Sequence, residues 1–229
     1  VSDSRSSAGL RHRALTALGK VAGDGNVDPA DLPRVVWVCE HAAGQRDIRC
    51  GHFLDALNAV GLSKFSDMAT LEAIVSVAVQ LIEDINFDDE REETPAFVLK
   101  AMAVISRFSH RVAADVRICR KVVQAVRLLI ERTQTHSARF VMARHLATNV
   151  LLHQILPLAT AEEVFGEVLE VIELCMRNTG DPAILTPLVQ VINKKGIADA
   201  HLERFVGVLE RMRPVVPPAL TLSNVAKRL

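Results

Sequence analysis

Apolar residues recur along most of this chain with the 3.6-residue period of helices that bury one face. Signals that start or stop a helix interrupt the pattern at short intervals, which predicts about eleven helices. The predicted helices span roughly residues 7–22, 29–43, 50–61, 67–84, 95–110, 115–134, 137–154, 161–178, 182–195, 198–212 and 218–228. No segment of four to eight residues alternates apolar and polar positions between turn signals, as a half-buried strand would. The pattern therefore predicts an all-α fold.

Capping residues mark the starts and stops of the predicted helices. Three starts place a capping side chain just before a proline, at Asp28–Pro29, Thr94–Pro95 and Asp181–Pro182. Ser66, Asp115 and Thr160 are further N-cap candidates, and Glu163 completes a capping box with Thr160. Gly44, Gly61, Gly180 and Gly196 lie where helices are expected to end. The connections left between these signals are short, so sequential helices should pack as antiparallel neighbours.

The spacing of the helices indicates how they are arranged. Every second helix starts about 37 to 48 residues after the previous one, which is typical of stacked αα-hairpins. We therefore expect residues 1–229 to form a single domain, an irregular αα-solenoid of antiparallel helices. A closed helical bundle is the alternative, because the spacing drifts and no sequence signature recurs. The longest connector, residues 85–93, is acidic and is expected to be a surface loop.

Two helix openings carry a resemblance to known proteins. Asp115-Val116-Arg117 opens one helix, and the segment PAILTPL at residues 182–188 opens another. Together with the run of capped hairpins, they resemble divergent HEAT/armadillo-like and organellar αα-helical-repeat proteins over about 200 residues. Such proteins usually act as scaffolds, adaptors or RNA-binding modules, so the resemblance implies a non-enzymatic interaction protein.

Composition narrows the class of protein. The 229 residues are 49% apolar, enough to bury well over half of the unfolded surface in a core. Four cysteines are too few for a disulfide scaffold and favour a reducing intracellular compartment. No apolar run reaches the roughly 18 to 20 residues that cross a bilayer, so we expect no membrane span.

The first 22 residues are basic. No acidic residue lies between Asp3 and Asp24, and residues 4–22 are rich in Ser, Ala, Arg and Leu. That composition is typical of an organellar targeting segment, and an ordinary basic first helix is the alternative. The mitochondrial matrix is therefore the favoured location, with the cytoplasm as the alternative. Because the sequence begins at Val1 without a methionine, we expect a processed product, a fragment or part of a longer chain.

Two groups of residues have metal-ligand chemistry. Cys39, His41, Cys50 and His52 lie within fourteen residues, but Cys39 and His41 would point about 200° apart on one helix. A buried cysteine with exposed histidines is the favoured interpretation. His145, Asn149 and His153 recur at i, i+4 and i+8 and are expected to form a polar face or a partner-contact row. We predict no metal site.

No motif identifies a reaction. The sequence contains no G-x-S-x-G, no dinucleotide fingerprint and no phosphate loop. We therefore predict a protein that is not an enzyme and carries no cofactor. A helical-bundle enzyme with a site assembled from dispersed residues is the alternative.

Charge is segregated along the chain although the total is zero, with 27 basic and 27 acidic residues. Residues 66–94 carry nine acids and one arginine, a net charge of −8. Residues 95–153 carry ten basic and two acidic residues, a net charge of +8, and residues 154–176 carry five acids. The zero net charge therefore excludes only a uniformly basic protein.

The basic block supplies the predicted site, in which arginines outnumber lysines. Arginine binds phosphate or carboxylate in a bidentate manner, so we predict contact with an RNA backbone or with an acidic partner. The predicted contact residues are Arg107, Arg111, Arg117, Arg120, Lys121, Arg127, Arg139 and Arg144. The alternative is internal pairing with the flanking acidic helices. The chain has one tryptophan and no tyrosine, so RNA contact would involve phosphates and shape rather than base stacking. The expected partners are other subunits of an assembly, with RNA among them.

Overall fold

The computed structural model describes residues 10, 13–14, 16–21, 24, 27–44, 52–62, 67–88, 93–112, 114–134, 138–159, 164–179, 184–195 and 199–211. Within these residues the regular elements are helices and no strand is present, which confirms the all-α prediction. The predicted helix 218–228 lies outside the described residues, and so does part of helix 7–22. Residues 13–14 and 16–21 of that first helix are helical.

Ten α-helices are named here in chain order. They are α1 (Leu32–Gly44), α2 (His52–Leu62), α3 (Met68–Asp84), α4 (Glu93–Val112), α5 (Val116–Arg132), α6 (Val141–Asn149), α7 (Leu156–Ala159), α8 (Phe165–Thr179), α9 (Leu185–Lys195) and α10 (Asp199–Arg211). A 3-10 turn, Pro29–Asp31, precedes α1. A π-helical segment, Val150–Ile155, joins α6 to α7.

Two of the predicted N-caps are confirmed. The Asp28 carboxylate accepts a hydrogen bond from Ala30 N at 2.9 Å, ahead of the 3-10 turn. The Asp115 carboxylate accepts from Arg117 N at 2.7 Å and caps α5. These short side chains satisfy backbone donors that have no partner within the first helical turn. At α3 the cap is Asp67, which accepts from Thr70 N at 2.8 Å, whereas Ser66 lies outside the described residues.

Two predictions about helix ends are wrong. Thr94 does not cap α4, because the chain is already helical at Glu93 and Thr94 is fully buried within the first turn. Gly61 does not end α2, which continues to Leu62. Gly61 is instead a site of close packing, since a Cβ atom there would lie 2.4 Å from Cζ of Phe108. Gly44 is the last residue of α1, as predicted, while Asp181, Thr160, Glu163, Gly180 and Gly196 lie outside the described residues.

The chain divides into two compact units, residues 1–112 and 113–229. In the first unit α1 packs on α2 and α3, α2 packs on α3 and α4, and α3 packs on α4. Helices α1 and α2 of this unit thus each contact both of the helices that follow them. Its core includes Phe53, Leu57, Ile74, Met102 and Phe108, all with at most 2% of their surface exposed.

The second unit is centred on α8. This helix packs on α5, on the π-helical segment, on α7 and on α10. Helix α5 also packs on α6, and α9 packs on the π-helical segment and α7. Phe140, Phe165 and Phe205 are almost completely buried in this unit. The packing fixes which faces of α5 and α8 meet, and this determines which charges are paired.

Candidate polyanion-contact surface and ligand cavity

Helix α5 carries most of the predicted contact residues, and its sequence separates them from the core. The buried side is formed by Ile118, Cys119, Val122, Val123, Ala125, Val126, Leu129 and Ile130. The remaining positions are mainly charged, so the helix is strongly amphipathic. The basic side chains fall on two edges of α5, one on each side of the exposed Gln124.

One edge of α5 is paired with α8. Arg120 Nε donates to Glu167 Oε1 at 2.8 Å, and Arg127 Nη1 lies 3.4 Å from Glu170 Oε2. Arg127 Nε also donates to Glu131 of its own helix at 3.1 Å. The structure therefore shows internal pairing for Arg120 and Arg127, which is the alternative interpretation of the basic block at these two positions. We call this side the paired edge.

The glutamates of α8 continue this pairing towards α10. Glu170 also accepts from Arg204. Glu173, with about a tenth of its side chain exposed, accepts from Arg211 Nε at 2.8 Å, from Arg211 Nη2 at 2.7 Å and from Arg177 at 2.5 Å. The hydrogen bonds from Arg211 hold the pKa of the Glu173 carboxyl below its usual value, despite its burial. Acids in the 154–176 block thus bind arginines of this chain.

The other edge of α5 carries exposed cations. Arg117, Lys121 and Arg132 lie along it at i, i+4 and i+15, and Leu128 lies between them. Arg117 Nη2 pairs with Asp115 at 2.8 Å, beside the cap. Lys121 and Arg132 are exposed and have no acidic partner among the described residues. We call this side the open edge.

Helix α4, in the first unit, carries the remaining predicted contact residues that precede α5. Arg107 and Arg111 are exposed and unpaired with any described acid. Lys100 of the same helix differs, because its Nζ lies 2.8 Å from the Asp55 carboxylate. Exposed pairs of this kind contribute little stability, but they lower the charge available to a partner.

Arg139 and Arg144 lie near the start of α6 and have different surroundings. The guanidinium carbon of Arg139 stands 5.7 Å from the centre of the Phe140 ring, a cation–π contact. Arg144 is half-buried and lines a cavity in the second unit. Its guanidinium has no acidic partner among the described residues.

This cavity has a volume of about 440 Å³, within the range of small-molecule sites. It brings together the predicted polar row with residues from distant helices. Its walls are Ile130, Ala138, Val141, Arg144, His145, Thr148, Asn149, Leu152, His153, Cys175, Asn178, Thr179, Ile184 and Pro187. Sequence reasoning missed Cys175 and Asn178, which are about 30 residues from the polar row and carry no motif.

The hydroxyl groups of Thr148 and Thr179 donate hydrogen bonds within the cavity wall. Thr148 Oγ1 donates to Arg144 O at 3.0 Å, and Thr179 Oγ1 donates to Cys175 O at 3.0 Å. Burial raises the pKa of the Cys175 thiol to about 11, so it is not a thiolate at neutral pH. The amide Nδ2 of Asn178 is buried and donates to none of the described residues.

Of the four candidate metal ligands near Cys39, the structure describes the side chains of Cys39 and His41, and these two do not converge. Helix α1 continues to Gly44, and Cys39 is fully buried while His41 is exposed and stacks on Trp37 at 5.5 Å. Burial raises the pKa of the Cys39 thiol to about 12. Cys50 and the side chain of His52 lie outside the described part of the chain.

No group of three or more His, Cys, Asp or Glu side chains that could hold a metal ion occurs in the described ranges. None of the helices described is long and apolar enough to cross a bilayer. Comparisons with protein-family models, with curated proteins and with solved structures found no match to this chain.

Proposed function

We propose that this chain is a non-enzymatic αα-helical scaffold or adaptor within a multi-subunit assembly, and that the open edge of α5 contacts a polyanionic partner. The observation that carries the proposal is the difference between the two edges of α5. Arg120 and Arg127 already bind glutamates of α8, whereas Lys121 and Arg132 are exposed without acidic partners among the described residues. Charge that is not neutralised internally remains available to a partner.

RNA is the polyanion that we propose first. Seven of the eight phenylalanines are described and buried, so aromatic platforms for splayed bases are scarce on the described surface. Contact would therefore involve phosphates, which Lys121, Arg132 and the exposed Arg107 and Arg111 of α4 suit. An acidic protein face would bind the same cations and is the second candidate.

An organellar ribonucleoprotein is the assembly that we propose for this adaptor. The basic, Ser- and Ala-rich residues 4–22 support the mitochondrial location. In the first unit α1 and α2 each contact the two helices that follow them, which supports a helical-repeat architecture, because stacked αα-hairpins make such contacts. In such an array, exposed helix edges are the surfaces that contact partners.

The proposal predicts that RNA affinity depends on the open edge and not on the paired edge. Lys121→Gln combined with Arg132→Gln should weaken binding of a labelled single-stranded RNA about tenfold, roughly 1.4 kcal/mol. The plot of log K against log salt should also become shallower by about 1.4, because each lost phosphate contact contributes roughly 0.7 for a single strand. Fluorescence anisotropy at several salt concentrations measures both quantities.

The matched control removes the same charge from the paired edge of the same helix. Arg120→Gln combined with Arg127→Gln should leave the salt slope unchanged, because these guanidiniums are held by Glu167 and Glu170. Equal losses in both double variants would mean that only net charge matters and would contradict the proposal. Binding of an acidic polypeptide but not RNA, lost only in the open-edge variant, would identify the second candidate.

A further inference from the structure

The cavity of the second unit has features of a ligand site that the adaptor function does not use. It is lined by apolar groups, including Leu152 and Ile184, and by polar groups from α6, the π-helical segment and α8. Its volume of about 440 Å³ is sufficient for a small organic molecule. An apolar lining with a few polar groups is the usual composition of such sites.

Four polar side chains of the cavity have no partner among the residues that the structure describes. The side chains of Arg144, His145, Asn149 and His153 form no hydrogen bond or ion pair with another described residue. Asn178 adds an Nδ2 donor that is buried and unsatisfied within the described part of the chain. A buried donor without an acceptor costs free energy comparable to a lost hydrogen bond, so a ligand acceptor there would be favoured.

The backbone next to these groups departs from the regular α-helix. The segment Val150–Ile155 is π-helical, and the N–H of Leu156 donates to Leu151 O, five residues earlier. The π-helical segment begins directly after Asn149, and it carries Leu152 and His153 of the cavity wall. Such segments are rare in proteins and occur frequently at functional sites.

The charge of the cavity selects the class of ligand. Its described lining contains the permanent cation of Arg144 and two imidazoles, and it contains no carboxylate. An anion would therefore be bound in preference to a cation of the same size. A single guanidinium matches one carboxylate, whose two oxygens it can bind as a pair, and it leaves a dianion incompletely neutralised.

We propose that this cavity binds a small organic monoanion, a carboxylate on an apolar body. Arg144 pairs with the carboxylate, Asn178 supplies a neutral donor, and Leu152 and Ile184 cover the apolar body. The site is independent of the open edge of α5, whose cations do not line the cavity.

The experiment compares four naphthalene probes that share one apolar body, using the full chain and isothermal titration. The probes are 2-naphthoate, 2-naphthyl phosphate, 2-naphthalenemethanol and 2-naphthylmethylamine. We expect 2-naphthoate to bind at least tenfold more tightly than the alcohol and the amine, and more tightly than the phosphate dianion. Equal affinity for the carboxylate and the alcohol, or no binding of the carboxylate at millimolar concentration, would overturn the proposal.

Two variants test the assigned residues. Arg144→Gln should weaken 2-naphthoate binding at least tenfold and leave binding of the alcohol unchanged. Arg34→Gln is the matched control, since it removes an exposed cation of α1, which pairs with Asp31 of the preceding 3-10 turn, and should leave both affinities unchanged. Asn178→Asp should weaken the carboxylate and strengthen the amine, a reversal that misfolding cannot produce. If Arg144→Gln and Arg34→Gln behave alike, the guanidinium of Arg144 does not bind the ligand and the proposal fails.

Discussion

At the scale of single residues, Gly61 allows the close approach of Phe108, a role that its neighbours in the sequence do not reveal. The position favours a helix stop, yet Gly61 is buried inside α2. The ring of Phe108, itself 2% exposed, occupies the space that a side chain would need. The nearest ring atom would lie 2.4 Å from an added Cβ, closer than van der Waals contact allows.

Gly61→Ala is therefore expected to destabilise the protein. The Phe108 ring is enclosed by core residues and cannot move freely, so the overpacking should cost about 1–3 kcal/mol of unfolding free energy. Urea unfolding followed by circular dichroism measures the change.

Gly207→Ala is the matched control within α10. There an added Cβ would approach only Nη1 of Arg211, at 3.4 Å, and that side chain can move. The substitution should stabilise by about 0.4–1 kcal/mol through the entropy of the unfolded chain. A stabilising Gly61→Ala would show that the Phe108 contact is not tight.

Capping residues show which features of a helix start can be predicted from the local sequence. Asp115 is correctly predicted because its role depends only on the backbone N–H groups of Arg117 and Ile118, two and three residues after it. Thr94 is also a capping residue type, but it is the second residue of α4 and its side chain is fully buried. Its burial depends on tertiary packing, which a capping pattern does not contain.

At the scale of helices, the two edges of α5 differ because only one of them packs beside α8, whose Glu167 is 47 residues from Arg120 in the sequence. Arg120 is paired only because Glu167 of α8 packs beside it. The blocks of opposite charge along the sequence predict that ion pairs can form, but they do not show which edge of α5 faces α8. The cavity wall was missed for the same reason, since Cys175 and Asn178 reach the row of His145 and His153 only through packing.

The π-helical segment also escapes the sequence pattern. Apolar spacing predicts one regular helix over residues 137–154, and the structure has α6 followed by Val150–Ile155. An i+5 register shifts the following residues by one position, and the periodicity of so short a segment does not reveal the shift. The polar row His145, Asn149 and His153, which is predicted as a polar face or a partner-contact row, lines the cavity, and both histidines are exposed.

The N-cap of α5 predicts a pH dependence of stability. The side chain of Arg117, then its backbone N–H, lower the pKa of the Asp115 carboxyl from 3.8 to about 2 in the folded protein. Because the folded pKa lies below the unfolded one, the cap stabilises fully above about pH 4 and loses its effect as the pH falls towards 2. Asp115→Asn keeps a capping group but removes this titration.

The stability difference between the wild type and Asp115→Asn should therefore shrink as the pH is lowered from 5 to 2. Urea midpoints at four pH values measure it. The control is Glu203→Gln, an exposed acid of α10 outside any cap, whose difference from the wild type should stay constant. A difference for Asp115→Asn that is the same at every pH would mean that the carboxylate charge does not stabilise the cap.

At the scale of the whole molecule, the zero net charge combines cations that are paired within the chain with cations that are exposed. Part of the positive block 95–153 is neutralised by α8, through the pairs Arg120–Glu167 and Arg127–Glu170. Another part remains exposed on the open edge of α5 and on α4. The net charge of the chain therefore does not show which cations are exposed, whereas the packing of α5 on α8 within the second unit shows which of them are paired.

The division of the chain into two units predicts that residues 113–229 fold on their own. Their core is built from α5 to α10, with Phe140, Phe165 and Phe205 buried among residues of the same unit. The isolated segment should unfold cooperatively in urea, because its helices cover one another's apolar faces. A segment that begins at residue 121 is the matched control, since it lacks the Asp115 cap and the buried Ile118 and Cys119. We expect that shorter segment to show no cooperative transition. If residues 113–229 lack one as well, while the full chain unfolds cooperatively, the second unit depends on residues outside it.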